Sequence, residues 1–168
     1  MDSFITDTAY DCFVELCASY GVTVQAGDCG LPAPDIASVL GFTGSQLRGS
    51  LAISTTREFL ARTRPVPPRS EFEVRDWGAE LVNQLVGRVK NRMVEYGVEI
   101  RLSTPVSIAG ADLDVMFDHR SSCRDALWFS SPSGHVAVLA DVVVDPGVEF
   151  KRLPEHGPSI AEGNFVSF

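Results

Sequence analysis

From Asp76 to Tyr96 the chain carries one long amphipathic pattern, and Gly97 ends it. Leu81, Val82, Leu85, Val86, Val89, Met93 and Tyr96 recur at helical spacing. At about 100° per residue they fall on one face centred near Val89. A helix this long with a single apolar stripe has to lie on a core. The segments around it are strand-like, so the expected partner is a sheet. The opposite face carries Glu80, Asn83, Gln84, Gly87 and Asn91.

The rest of the chain supplies the sheet. Residues Thr6 to Tyr20 read as a first helix, with Phe13, Leu16, Cys17 and Tyr20 on its apolar stripe and Gly21 as its stop. Val22 to Gln25 is short and β-prone, and Gly27 to Pro34 reads as a loop. Ile36 to Phe42 and Leu47 to Ser54 are expected to pair as a hairpin through Thr43-Gly44-Ser45. Thr55 or Thr56 then caps a short helix through Arg62. The proline-rich segment from Thr63 to Glu71 crosses one face of a single domain, and the long helix starts near Glu73 or Asp76. Val98 to Ser103, Asp112 to Asp118, Ala126 to Ser131 and Val136 to Val144 read as strands. Pro132-Ser133-Gly134 joins the last two. A domain over 1–145 is therefore expected, followed by an irregular tail over 146–168 that is broken by prolines and glycines.

Composition narrows the function classes. The chain has 168 residues, 45% of them hydrophobic, enough for one domain with a sizeable core. A net charge of −8 with no basic stripe argues against nucleic acid as the partner. Apolar runs are too short for membrane insertion. The start MDSFITDTAYD has an acid at its second residue and no basic region, which predicts no secretory leader. Cys12, Cys17, Cys29 and Cys123 form no C-x-x-C pair and are expected as reduced thiols in a cytoplasmic protein. His119 and Cys123 lack a second ligand pair, so no metal site is expected. Asp118-His119-Arg120 reads as a solvated turn, and His135 and His156 have no partner in sequence. Trp77 and Trp128 read as core or core-edge residues.

Two residues on the polar face of the long helix, Glu80 and Asn83, are three apart and so are surface neighbours. A glycine inside a helix costs about 1 kcal/mol relative to alanine. Gly78 lies on the apolar face, where close packing explains it. Gly87 faces solvent, where it makes sense if another surface must come close. The run Glu80-Leu81-Val82-Asn83-Gln84-Leu85-Val86-Gly87-Arg88, with Pro105 and Gly110 beyond the next strand, resembles the CheX/CheC chemotaxis phosphatases. It is most similar to the CheX type, with its single E-x-x-N helix. The resemblance extends from about Ile36 to about Val143. The N-terminal segment to Asp35 and the tail do not match the family.

The resemblance implies a CheC-like α/β sandwich: a mostly antiparallel sheet in a single domain with helices on one face. It implies hydrolysis of the aspartyl phosphate of a CheY-like response-regulator receiver in two-component signalling. An acyl phosphate is already activated, so the catalyst needs only to place a water in line with the breaking bond. A side-chain amide can accept from that water and also donate. Asn83 is expected in this role. Glu80 is expected to pair with the receiver's active-site lysine. Gln84, Gly87, Arg88 and Asn91 are expected to contact the partner. Arg88, Lys90 and Arg92 read as a solvated basic flank. No cofactor of its own is implied, since Mg2+ would sit on the receiver. A homodimer is implied too, built from sheet edges of the strand-rich half from Asp112 to Val144. The alternative is a non-catalytic CheX-like interaction module that docks a receiver or a motor-switch protein.

Overall fold

The computed structural model describes residues 3–27, 34–111, 113, 115 and 123–154. Helix α1 (Ser3–Ser19) leads into strands β1 (Gln25–Ala26), β2 (Ile36–Gly44) and β3 (Leu47–Thr55). Helices α2 (Arg57–Thr63) and α3 (Glu71–Val94) follow, and then β4 (Ile100–Leu102), β5 (Val106–Ala109), β6 (Cys123–Ser131) and β7 (Gly134–Val144). The strands form one sheet in the order β1-β6-β7-β3-β2-β4, with β5 also pairing β2. Every pairing is antiparallel. The expected fold class is the observed one.

Strand alternation divides the sheet into two faces. Leu47, Leu51 and Ile53 of β3 and Val136, Val138, Ala140 and Val142 of β7 join the main core with residues of all three helices. Their neighbours Ala52, Ala137 and Leu139 form a smaller cluster on the other face, against Val39, Val115, Ala126 and Trp128. Helices therefore cover one face. α3 lies over β2, β3 and β5, and α1 packs beside it over β6 and β7. Of the expected apolar stripe, the residues from Leu81 to Met93 are fully buried in that core, whereas α3 ends at Val94 and Tyr96 beyond it is half-buried.

α3 begins earlier than the sequence reading places it. Ser70 caps it, its hydroxyl accepting from the Glu73 N–H at 3.3 Å. The Glu73 carboxylate accepts from the Arg69 N–H at 3.0 Å and from the Arg64 guanidinium at 2.6 Å. The backbone bond, then the Arg64 bond, hold its carboxyl below the usual range. Arg57 binds both Asp35 and Glu71 at 2.8 Å, which ties the start of α2 to the start of α3 across the proline-rich connection.

β5 is a strand that hydropathy did not signal. It is four residues long and follows Pro105, which lacks the N–H needed to run β4 straight through. Val106 and Ile108 stand more than half exposed on the helix-free side of this edge. The strand expected over Asp112–Asp118 falls mostly outside the described residues, and its described members, Leu113 and Val115, lie in no strand. Cys29, His119, Arg120 and His156 also lie outside them. His135 is the second residue of β7, where its backbone carbonyl accepts from the Thr55 hydroxyl.

Candidate functional site on the outer face of α3

Two glycines set how α3 sits. A Cβ on Gly78 would come within 2.6 Å of Ser38 Oγ, 3.2 Å of Ser107 Oγ and 3.3 Å of Leu60. Gly78 therefore lets the helix press on β2, β5 and α2. A Cβ on Gly87 would meet nothing within 4 Å. Among the described residues, packing gives no reason for Gly87 to be glycine.

Glu80, Asn83, Gln84, Gly87 and Asn91 share the outward stripe, as their spacing requires. Glu80 and Asn91 are exposed, and Asn83, Gln84, Gly87 and Arg88 are half-buried. Asn83 projects about 60° to one side of Glu80 and Gln84 about 40° to the other, at about 100° per residue. α1 flanks the Gln84 side. There Arg92 pairs with Asp11 at 3.3 Å and with Glu15, clamping α1 to α3. The expectation of a solvated Arg92 is thus corrected, because its guanidinium serves helix packing. Among the described residues, nothing hydrogen-bonds the Asn83 amide and no acid pairs with Arg88.

Gln84 has both ends of its amide engaged. Its Nε2 donates to Glu80 Oε1 at 2.8 Å, and its Oε1 accepts from the Tyr20 hydroxyl at 2.6 Å. An i, i+4 pair of this kind contributes about 0.2–0.5 kcal/mol alone. A second, half-buried hydrogen bond adds about 0.5–1.5 kcal/mol and makes one orientation dominant.

Tyr20 is itself well placed. It follows α1, which closes through Gly21 N–H to the Ala18 carbonyl and Val22 N–H to the Cys17 carbonyl, with Gly21 at φ 71°. Its ring meets Trp77 edge-on at 5.2 Å, and Trp77 Nε1 donates to the buried Thr63 hydroxyl at 3.0 Å.

The family described as "Chemotaxis phosphatase CheX" matches residues 36–124, just over half of the chain and all of α3. The chain belongs to this CheX family. None of the curated proteins matches it by sequence. Among solved structures, the chemotaxis protein CheX from Vibrio vulnificus is similar at TM-score 0.73 and 18% identity, over 84% of this chain and 98% of that one. A CheC-like superfamily protein from Shewanella sp. PV-4 is similar at TM-score 0.73 and 22% identity, over 84% and 99%. CheX in the CheX–CheY–BeF3–Mg2+ complex from Borrelia burgdorferi is similar at TM-score 0.61 and 16% identity, over 82% and 97%. At these identities the likeness is one of fold.

Within this CheX fold, the sequence reading picked out the outward stripe but missed two contributors. Tyr20 looked like part of α1's apolar stripe, and nothing local links it to Gln84, 64 residues away. Phe72 lies on the same outer side as Asn83, two turns before Glu80, and is 67% exposed. A helical wheel extended back to Glu71 places it there. The described part of the tail sits at the other end of α3. Phe150 stacks on Phe4, and the Leu153 N–H donates to the Glu95 carbonyl. Among the described residues, no group of His, Cys, Asp and Glu could hold a metal ion, and no helix is long and apolar enough to cross a membrane.

Proposed function

We propose that this chain is a cytoplasmic phosphatase that hydrolyses the aspartyl phosphate of a response-regulator receiver. Asn83 aligns the attacking water and Glu80 docks the partner. The observation that carries this reading is the pairing of an exposed Glu80 with an unengaged Asn83 amide on the helix that the CheX family match spans. The partner class is supported by the Borrelia CheX having been solved with CheY.

In this reading the receiver supplies the activated acyl phosphate and its Mg2+, and the chain supplies position. Glu80 meets the receiver's active-site lysine. That contact brings the Asn83 carbonyl oxygen to a water in line with the phosphorus–oxygen bond. A misaligned water is unproductive, so geometry at Asn83 sets the turnover number and the contact at Glu80 sets the affinity. Gly87 leaves space for the receiver's loops, and the half-buried Arg88 offers positive charge toward its acidic face. Among the described residues β5 is an edge strand with Val106 and Ile108 exposed, which supports assembly as a homodimer.

The test is the decay of a phosphorylated receiver with the wild type, Asn83→Ala and Glu80→Ala. Asn83→Ala is expected to abolish the acceleration while still binding the receiver. Glu80→Ala is expected to raise the receiver concentration needed. Full activity in Asn83→Ala overturns the proposal. Binding by the wild type without faster decay selects the interaction module instead.

A further inference from the structure

We infer that Tyr20 is a positioning residue that acts through Gln84 to hold the Glu80 carboxylate ready for docking. The inference rests on the reading above of Glu80 as the docking acid.

Directionality is the first argument. An ionised carboxylate only accepts hydrogen bonds, so the Gln84 nitrogen must face Glu80 and its oxygen must face away. That oxygen needs a donor, and the Tyr20 hydroxyl provides one at 2.6 Å. The chain Tyr20 to Gln84 to Glu80 therefore runs one way. Losing the hydroxyl leaves Gln84 held at one end only, free to swing away from Glu80 and release the carboxylate.

The second argument is rigidity. Glu80 is exposed and on its own samples several rotamers. Tyr20 is fixed from behind by its edge contact with Trp77, which Thr63 pins at 3.0 Å. Thr63 in turn donates to the Leu60 carbonyl at 3.1 Å. Side chains from α1, α2 and α3 thus meet at one corner, and the flexible group at its tip is Glu80. A pre-ordered carboxylate has less freedom to lose when the partner arrives. Asn83 projects on the other side of Glu80 from Gln84 and takes no part, so the effect belongs to docking and not to turnover.

The experiment measures kcat and KM for phosphorylated receiver with the full chain as wild type, Tyr20→Phe, Glu80→Ala and the double variant. Tyr20→Phe keeps the ring against Trp77 and removes only the hydroxyl. Its thermal midpoint should fall by no more than about six degrees, since only one half-buried hydrogen bond is lost. KM should rise roughly three- to tenfold with kcat unchanged, and the double variant should match Glu80→Ala alone. The 15N–1H side-chain amide resonances of Gln84 should shift in Tyr20→Phe without any receiver present. Tyr20→Phe kinetics equal to wild type while Glu80→Ala is impaired overturn the positioning role. So do effects that multiply in the double variant, or a fall in kcat alone. Unmoved Gln84 resonances overturn the hydrogen-bond chain itself. If Glu80→Ala behaves as wild type, the docking reading fails, and the functional part of this inference fails with it.

Discussion

Alanine at Gly87 should make this protein more stable and less active. The residue lies inside α3, its φ is not among the positive ones, and an added Cβ meets nothing within 4 Å. Alanine therefore gains the full helix-propensity difference, about 0.8–1.0 kcal/mol, with no steric cost. For a domain of this size that raises the thermal midpoint by roughly 2–4 °C. The same methyl projects about 1.5 Å from the helix into the space that the proposed function assigns to the receiver. Asn83 is one turn away, and a misplacement of about 1 Å at a reacting centre can cost about a hundredfold. Gly78 supplies the opposite control in the same helix. Alanine there drives its Cβ to 2.6 Å from Ser38 Oγ, whose hydrogen bond to Ser107 at 2.8 Å must then break or shift. The expected loss is about 1–3 kcal/mol. Differential scanning calorimetry and the receiver dephosphorylation assay, run on both variants, give two signs each. A lower thermal midpoint for Gly87→Ala refutes the open-helix geometry. A raised midpoint with undiminished activity refutes close approach at Gly87.

Two further outcomes are expected. Burial pushes the Cys12 thiol up to about 11 and the Cys17 thiol up to about 12, from an ordinary 9.0. Above pH 9 the unfolded chain loses these protons before the folded one does. Their contribution is therefore complete below pH 9 and is lost as pH rises toward the folded values, by at most about 1.4 kcal/mol per pH unit for each thiol. Urea midpoints measured from pH 7 to 11 should fall less steeply for Cys17→Ala than for wild type, and parallel curves would contradict this. Light scattering should give twice the 18.2 kDa chain mass. Val106→Asp with Ile108→Asp should return the monomer, whereas a monomeric wild type would rule out the homodimer.

Features that consecutive residues encode are legible without the fold. The stripe from Leu81 to Met93 specifies a helix with one buried face, and the same periodicity puts Glu80, Asn83 and Gly87 outside whatever the helix packs on. The β2–β3 and β6–β7 hairpins are legible because alternation and turn residues lie within a few positions of each other. E-x-x-N and its neighbours are enough to suggest the CheX family from the sequence alone. Tertiary structure decided the rest. β5 is too short to signal itself and exists because β2 offers an edge. Arg92 looks like a solvated cation until α1 brings Asp11 and Glu15 to it. Tyr20 belongs to the site only because α1 ends beside α3, and no local pattern reports a hydrogen bond between residues 64 apart. Periodicity fixes which way a side chain faces along its own element, but what it meets there depends on contacts that form only when distant elements pack.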